Sequence, residues 1–210
     1  MIFTSDIEAG VITMRGTIGD YEDCISADDF LTEIQSHSGD ITIRLNSPGG
    51  VVDEGLSIHN AIKQYPGKVR VEIDTLCASV ATVIACAADE IVMDKRAKWM
   101  IHRCWTVAMG NCKDFRSTAL LMEMLDDDIV DVYHERTGAA KDVILDKMDK
   151  ETWMTAAQAI EFGFANALTN EPKEDEDSVV EALGKPVAMT GLSPAMKAFA
   201  ENAVRRARRA

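Results

Sequence analysis

The stretch Ile41-Thr42-Ile43-Arg44-Leu45-Asn46-Ser47-Pro48-Gly49-Gly50 decides the fold. A β-branched run passes directly into a turn dense in Asn, Ser, Pro and Gly, and 51–64 then takes helical spacing, so the segment reads strand, turn, helix. Working outward, Val69-Arg70-Val71-Glu72-Ile73 alternates as a strand, the small apolar run 77–88 suits a buried helix, and Ile91-Val92-Met93 makes a further strand. On the other side Val11-Ile12-Thr13-Met14 reads as a strand, and Ser26 caps a helix bearing Phe30, Leu31 and Ile34. This βαβα order predicts an α/β fold with a mostly parallel sheet and helices on its faces.

Downstream the pattern changes. Residues 114–136 read as one long amphipathic helix with Phe115, Met122, Leu125, Ile129 and Val132 on a stripe, stopped by Thr137-Gly138. Shorter helices follow over 141–148 and 155–162, the second ended by Gly163 in a left-handed cap. The folded body is expected to close near Leu168, giving a domain over 1–170. An acidic linker is expected over 171–192 and a basic helix or tail over 193–210, ending in Arg205, Arg206, Arg208 and Arg209.

The chain has 210 residues, 47% of them hydrophobic. At that size roughly 70% of the unfolded surface is buried on folding, enough for a core without metal or disulfide. The net charge of -13 excludes nucleic acid as the main partner, because phosphate binding needs a cationic surface. Residues 182–210 run against that total, with six basic side chains to one acidic. Five cysteines without a C-x-x-C pair predict neither a disulfide framework nor a metal site, and no cofactor is expected. Without a basic, apolar leader or a run of about eighteen apolar residues, the chain is expected to be cytoplasmic and to have no membrane partner.

Four features carry chemistry. Gly49-Gly50 frees backbone amides to face an anion or oxyanion, although a tight turn alone would use the same glycines. Ser79, in Leu76-Cys77-Ala78-Ser79-Val80-Ala81, stands at a strand-to-helix junction where a hydroxyl can be presented as a nucleophile; a helix cap or small packing residue is its plain alternative. His102 ends the apolar run Met100-Ile101-His102, which places an imidazole at a strand end. Asp149-Lys150-Glu151 precedes Trp153-Met154 and offers a carboxylate that could orient an imidazole. His37, His59 and His134 read as surface or helix-face residues, and Cys77 and Cys104 as thiols beside Ser79 and His102.

Together and in this order, these residues resemble the proteolytic subunit of Clp protease, a serine peptidase family whose fold is related to that of the crotonases. The family's N-S-P-G-G turn stands as Asn46 to Gly50, its A-A-S-M-G context corresponds to Cys77-Ala78-Ser79-Val80-Ala81, and its M-I-H is Met100-Ile101-His102. The resemblance covers about 10–168. It implies Ser79 as nucleophile, His102 as general base, and the Gly50 and Val80 amides as oxyanion hole. It also places Glu151 as the acid, where the family usually has aspartate, with Asp149 as the alternative.

The stretch 102–111 and the Trp153-Met154 element look most like the related prohead maturation proteases of tailed phages and prophages. That implies capsid or scaffold precursors as substrates and an assembling head as a second location. The family resemblance further implies a homo-oligomeric ring or stacked rings, with the long protruding helix in the contacts between rings. The rival readings are a housekeeping Clp subunit working with an ATP-driven unfoldase and a crotonase-type acyl-CoA enzyme. A signal-peptide-peptidase-like enzyme, which would want an anchor, and an inactive shell protein are more remote.

Overall fold

Apolar alternation brings the first half of the chain together as expected. In the computed structural model, which describes residues 2–169, β1 (Ile2–Asp6) runs antiparallel to β2 (Val11–Arg15), and α1 (Ala27–Ser36) follows. Next come β3 (Ile41–Ser47), α2 (Val52–Gln64), β4 (Val69–Ala78), α3 (Val80–Cys86) and β5 (Glu90–Met93). The second half holds β6 (Lys98–Ile101), α4 (Cys112–Thr137), α5 (Lys141–Asp149), β7 (Thr152–Thr155), α6 (Ala156–Phe162) and β8 (Ala167–Leu168). The sheet order is β1-β2-β3-β4-β5-β8, parallel from β2 onward, with β6 branching from β4 and β7 pairing with β6. The expected linker over 171–192 and basic segment over 193–210 lie outside the described residues.

The branch at β4 matters for everything that follows. Its first half, Arg70 to Ile73, pairs with β5, whereas Leu76 to Ala78 pair with β6. Between them the register against β3 slips, from Leu45 opposite Ile73 to Ser47 opposite Cys77. The slip bends the strand and re-aims its end. The expected helix over 77–88 is therefore too long: Cys77 and Ala78 still belong to the ladder, and the helix begins at Val80. Small apolar residues pack equally well in a buried strand and a buried helix, so their periodicity does not separate the two. All seven residues of α3 are buried, as a helix without a polar face must be.

The long helix begins at a capping box between Asn111 and Asp114 and ends at Gly138 in the left-handed conformation. Its expected apolar stripe is engaged only in the second half, where Ile129, Val130 and Tyr133 are buried; Phe115 is exposed, as are Leu120, Leu121 and Met124. The end of α4 is fastened by Arg136, which donates to the carbonyls of Ala88 and Phe164, each at 2.9 Å. Of the histidines expected at the surface or on helix faces, His59 lies on the buried face of α2 and His37, just after α1, is buried as well. His37 meets the Ser5 hydroxyl at 2.7 Å, and His59 donates from Nδ1 to the Val83 carbonyl at 2.8 Å. Among the described residues no helix is long and apolar enough to cross a membrane.

Phe164 closes the core under the branch. It stacks on Trp99 at 4.9 Å between ring centroids and meets the Tyr133 ring edge-on at 5.3 Å. Phe164→Ala empties a site with no solvent access, and unfolding in urea should show a loss of about 3–5 kcal/mol. A loss under about 1 kcal/mol would mean that this cluster does not hold β6 against α4.

Candidate active site

The bent end of β4 delivers Ser79 into a conformation that side-chain-bearing residues avoid, with φ 56° and ψ -135°. Such a residue costs on the order of 1–3 kcal/mol and persists only where neighbours over-determine it. Here the Ser79 amide donates to the Met100 carbonyl of β6 at 2.9 Å. Its carbonyl accepts from the Thr82 amide at 2.9 Å and the Thr82 hydroxyl at 2.6 Å. The Tyr133 hydroxyl lies 2.6 Å from Thr82 Oγ1, and since the threonine proton is spent on Ser79, Tyr133 is the donor. A buried chain from α4 thus clamps the sharp turn whose side chain is Ser79.

His102 follows the last residue of β6. Its Nε2 stands 2.7 Å from Ser79 Oγ. Burial pushes the imidazole pKa below its ordinary 6.5, partly opposed by the negative charge of Asp126. A neutral ring facing a hydroxyl is the state that can take the hydroxyl proton.

The Asn46 to Gly50 turn packs against the same corner. Ser47 Oγ accepts the Gly49 amide at 3.0 Å, so that amide is occupied. Ile18 pairs with the Gly49 carbonyl and the Val51 amide, both at 3.0 Å. In a parallel bridge the intervening residue turns its own amide the other way, so the Gly50 N–H faces away from Ile18. The opposite flank of this turn is the elbow: a Cβ on Gly49 would lie 2.6 Å from Ser79 Cβ and 3.1 Å from the Val80 amide nitrogen. A Cβ on Gly50 would meet the Ile18 carbonyl oxygen at 1.8 Å. Both glycines are therefore demanded by close approach of backbone, beyond the needs of a turn.

The carboxylates divide. The antiparallel ladder between β6 and β7 ends at Ile101 opposite Thr152, so the next residues on the two strands are His102 and Glu151. Glu151 has φ 47° and accepts from the Trp153 indole at 3.3 Å. Asp149 is turned to Arg103, whose Nε donates to it at 2.7 Å; that hydrogen bond holds the Asp149 carboxyl below its usual range. Three residues around the site escaped the sequence reading: Asp126, Thr82 and Tyr133. Asp126 sits in the run Asp126-Asp127-Asp128, which reads as a solvated face, yet it lies three residues before Ile129 and seven before Tyr133, on the buried side of α4. That spacing was its signal.

Burial pushes the Cys77 thiol well above its ordinary pKa and the Cys104 thiol to about 12, so neither is poised as a thiolate. Among the described residues no group of three or more His, Cys, Asp or Glu side chains could hold a metal ion.

Comparison with known proteins places the chain in a family. The model of a family described as Clp protease matches residues 8–172. An ATP-dependent Clp protease proteolytic subunit 1 from Chlamydia muridarum is 32% identical over 140 residues, 65% of this chain and 73% of that one. Its counterpart from Protochlamydia amoebophila is 30% identical over 138 residues, 64% and 67% of the respective chains. A solved structure of a Clp proteolytic subunit variant from Listeria monocytogenes has a TM-score of 0.70 at 24% identity, covering 79% of this chain and 94% of its own, and shows the shared fold.

Two outcomes follow from the geometry. Gly49→Ala combines a φ of 92° with a clash against Ser79 and should abolish labelling of Ser79 by a serine-directed fluorophosphonate while circular dichroism stays native. Full labelling would mean that the elbow does not depend on this contact. With the neutral His102 ring against the Ser79 hydroxyl, the rate of that labelling should stay high above the imidazole pKa and fall as pH drops through a midpoint below 6.5. A midpoint above 6.5 would contradict the burial of the ring.

Proposed function

The chain belongs to the Clp protease family and is a serine-type endopeptidase, and on that premise we propose that Ser79, His102 and Glu151 form its catalytic triad. The observation that carries this reading is the 2.7 Å hydrogen bond between Ser79 Oγ and His102 Nε2 at a strained elbow. Ser79 Oγ attacks a peptide carbonyl as His102 Nε2 takes its proton. The oxyanion of the tetrahedral intermediate is received by the Gly50 and Val80 amides. His102 returns the proton to the leaving amine, and water, activated by the same imidazole, frees the acyl group from Ser79. Glu151 stands one residue beyond the last ladder pair, Ile101 with Thr152, as His102 does on the other strand, and takes the part of the acid that orients the ring. Val80 contributes through its amide, so a side chain other than methionine there leaves the hole intact.

The substrates are protein chains, and the working form is a homo-oligomeric ring or stacked rings. Support for contact with further copies comes from the exposed apolar side chains Trp105, Val107, Met109, Leu120, Leu121 and Met124, in and just before the first half of α4. Within the family, the stretch 102–111 and the Trp153-Met154 element favour a prohead maturation protease that cleaves scaffold or capsid precursors. The curated relatives favour a second reading, a housekeeping subunit served by an ATP-driven unfoldase, since those relatives carry the name ATP-dependent. Degradation of a capsid or scaffold precursor without ATP supports the first; degradation of folded substrates only with an added unfoldase and ATP supports the second.

Mass spectrometry after fluorophosphonate treatment should place the adduct on Ser79, with none in Ser79→Ala or His102→Ala. Each variant should lose on the order of 10⁴- to 10⁶-fold in kcat on a peptide substrate. Labelling elsewhere in correctly assembled protein would overturn the triad. Glu151→Ala should cost a large part of kcat while Asp149→Ala, an exposed partner of Arg103, should leave it within about threefold. The reverse pattern would assign the acid to Asp149.

A further inference from the structure

Asp126 is the only acidic side chain buried among the described residues, 5% exposed, and nothing in the triad uses it. A carboxylate out of water is costly unless its oxygens are satisfied by donors. Both oxygens are satisfied here, and by the two residues that follow His102. Oδ1 accepts from the Cys104 amide at 2.8 Å and Oδ2 from the Arg103 guanidinium at 3.1 Å. Arg103 in turn bridges to Asp149 at the end of α5. The chain leaving β6 is thus tied to α4 within two residues of the imidazole.

We propose that Asp126 is a positioning residue for His102: from α4 it holds the segment after the base and sets a buried negative charge toward the imidazolium that forms during acyl transfer. This rests on the reading of His102 as general base and adds a second carboxylate to the one assigned to Glu151. The charged and titratable groups on the segments next to His102 include Arg103 and Cys104 on its own strand's extension, Asp126 on α4, Asp149 and Lys150 at and just after the end of α5, and Glu151 before β7. Lys150 is paired with Asp146 at 2.6 Å, and Cys104 is a neutral thiol. The negative charge of Asp126 is the one that raises the His102 pKa against the effect of burial.

Asp126→Asn keeps an oxygen for the Cys104 amide and removes the charge. In that variant the His102 pKa should fall, moving the acid limb of kcat/KM to lower pH. The less stabilised imidazolium should lower kcat roughly ten- to hundredfold with KM within about twofold. Arg103→Gln removes the cation that neutralises Asp126 and should move the limb the opposite way, to higher pH. Nuclear magnetic resonance titration of the His102 ring, assigned with His102→Gln among only four histidines, reads the same shifts without any turnover. A His102 titration unmoved in Asp126→Asn, whatever happens to kcat, overturns the proposal and leaves a purely structural tether. If Asp126→Asn fails to fold, an unmoved titration in Arg103→Gln overturns it equally. Failure of the triad itself would show separately, as absence of a Ser79 adduct in the unaltered protein.

Discussion

The arrangement around the elbow depends on holding Ser79 at φ 56°. An isolated serine leaves that region at once, because its Cβ crowds the neighbouring backbone. The fold prevents this from three sides. Strand β6 takes the Ser79 amide through Met100, α3 returns two donors to its carbonyl through Thr82, and α4 supplies Tyr133 behind Thr82. The fourth side is Gly49, present because only a residue without Cβ lets the turn approach the elbow. Ser79 is positioned by backbone and buried hydroxyls rather than by its own side chain, whose Oγ is left for His102.

Strand β6 is the hub of this arrangement although it has only four residues. On one edge it pairs in parallel with the end of β4, and on the other antiparallel with β7. Ladder geometry then fixes what stands beside what. The parallel edge brings Ser79 level with the exit of β6, His102 is that exit, and the antiparallel edge runs to Glu151. Buried Trp99 and Met100 anchor the strand, so its end cannot drift without opening the core.

Much of this was legible in the sequence where residue type and spacing carry a single meaning. Asn46 to Gly50 after a β-branched run could only be a strand ending in a sharp turn, and Gly138 and Gly163 mark helix ends correctly. The pieces that were not legible are those defined by partners distant in sequence. Strand β7 is four residues, Thr152–Thr155, adjoining a helix whose N-cap is Thr155, and only pairing with β6 makes it a strand. The elbow at Ser79 contains no glycine, so its positive φ is imposed by tertiary contacts that local propensity does not record. Asp126 was hidden by its neighbours: Asp127 and Asp128 are exposed, and composition over three residues masks a helical period that buries one of them.

The long helix joins two environments that the stripe of apolar residues alone would have made alike. Its 26 residues, about 39 Å at 1.5 Å each, contain neither glycine nor proline to break the hydrogen-bond ladder. The second half is built into the site through Asp126 and Tyr133, while the first half presents Leu120, Leu121 and Met124 to solvent. An exposed apolar surface and a buried polar anchor therefore share one uninterrupted element, and the period of its apolar residues alone does not tell the two halves apart.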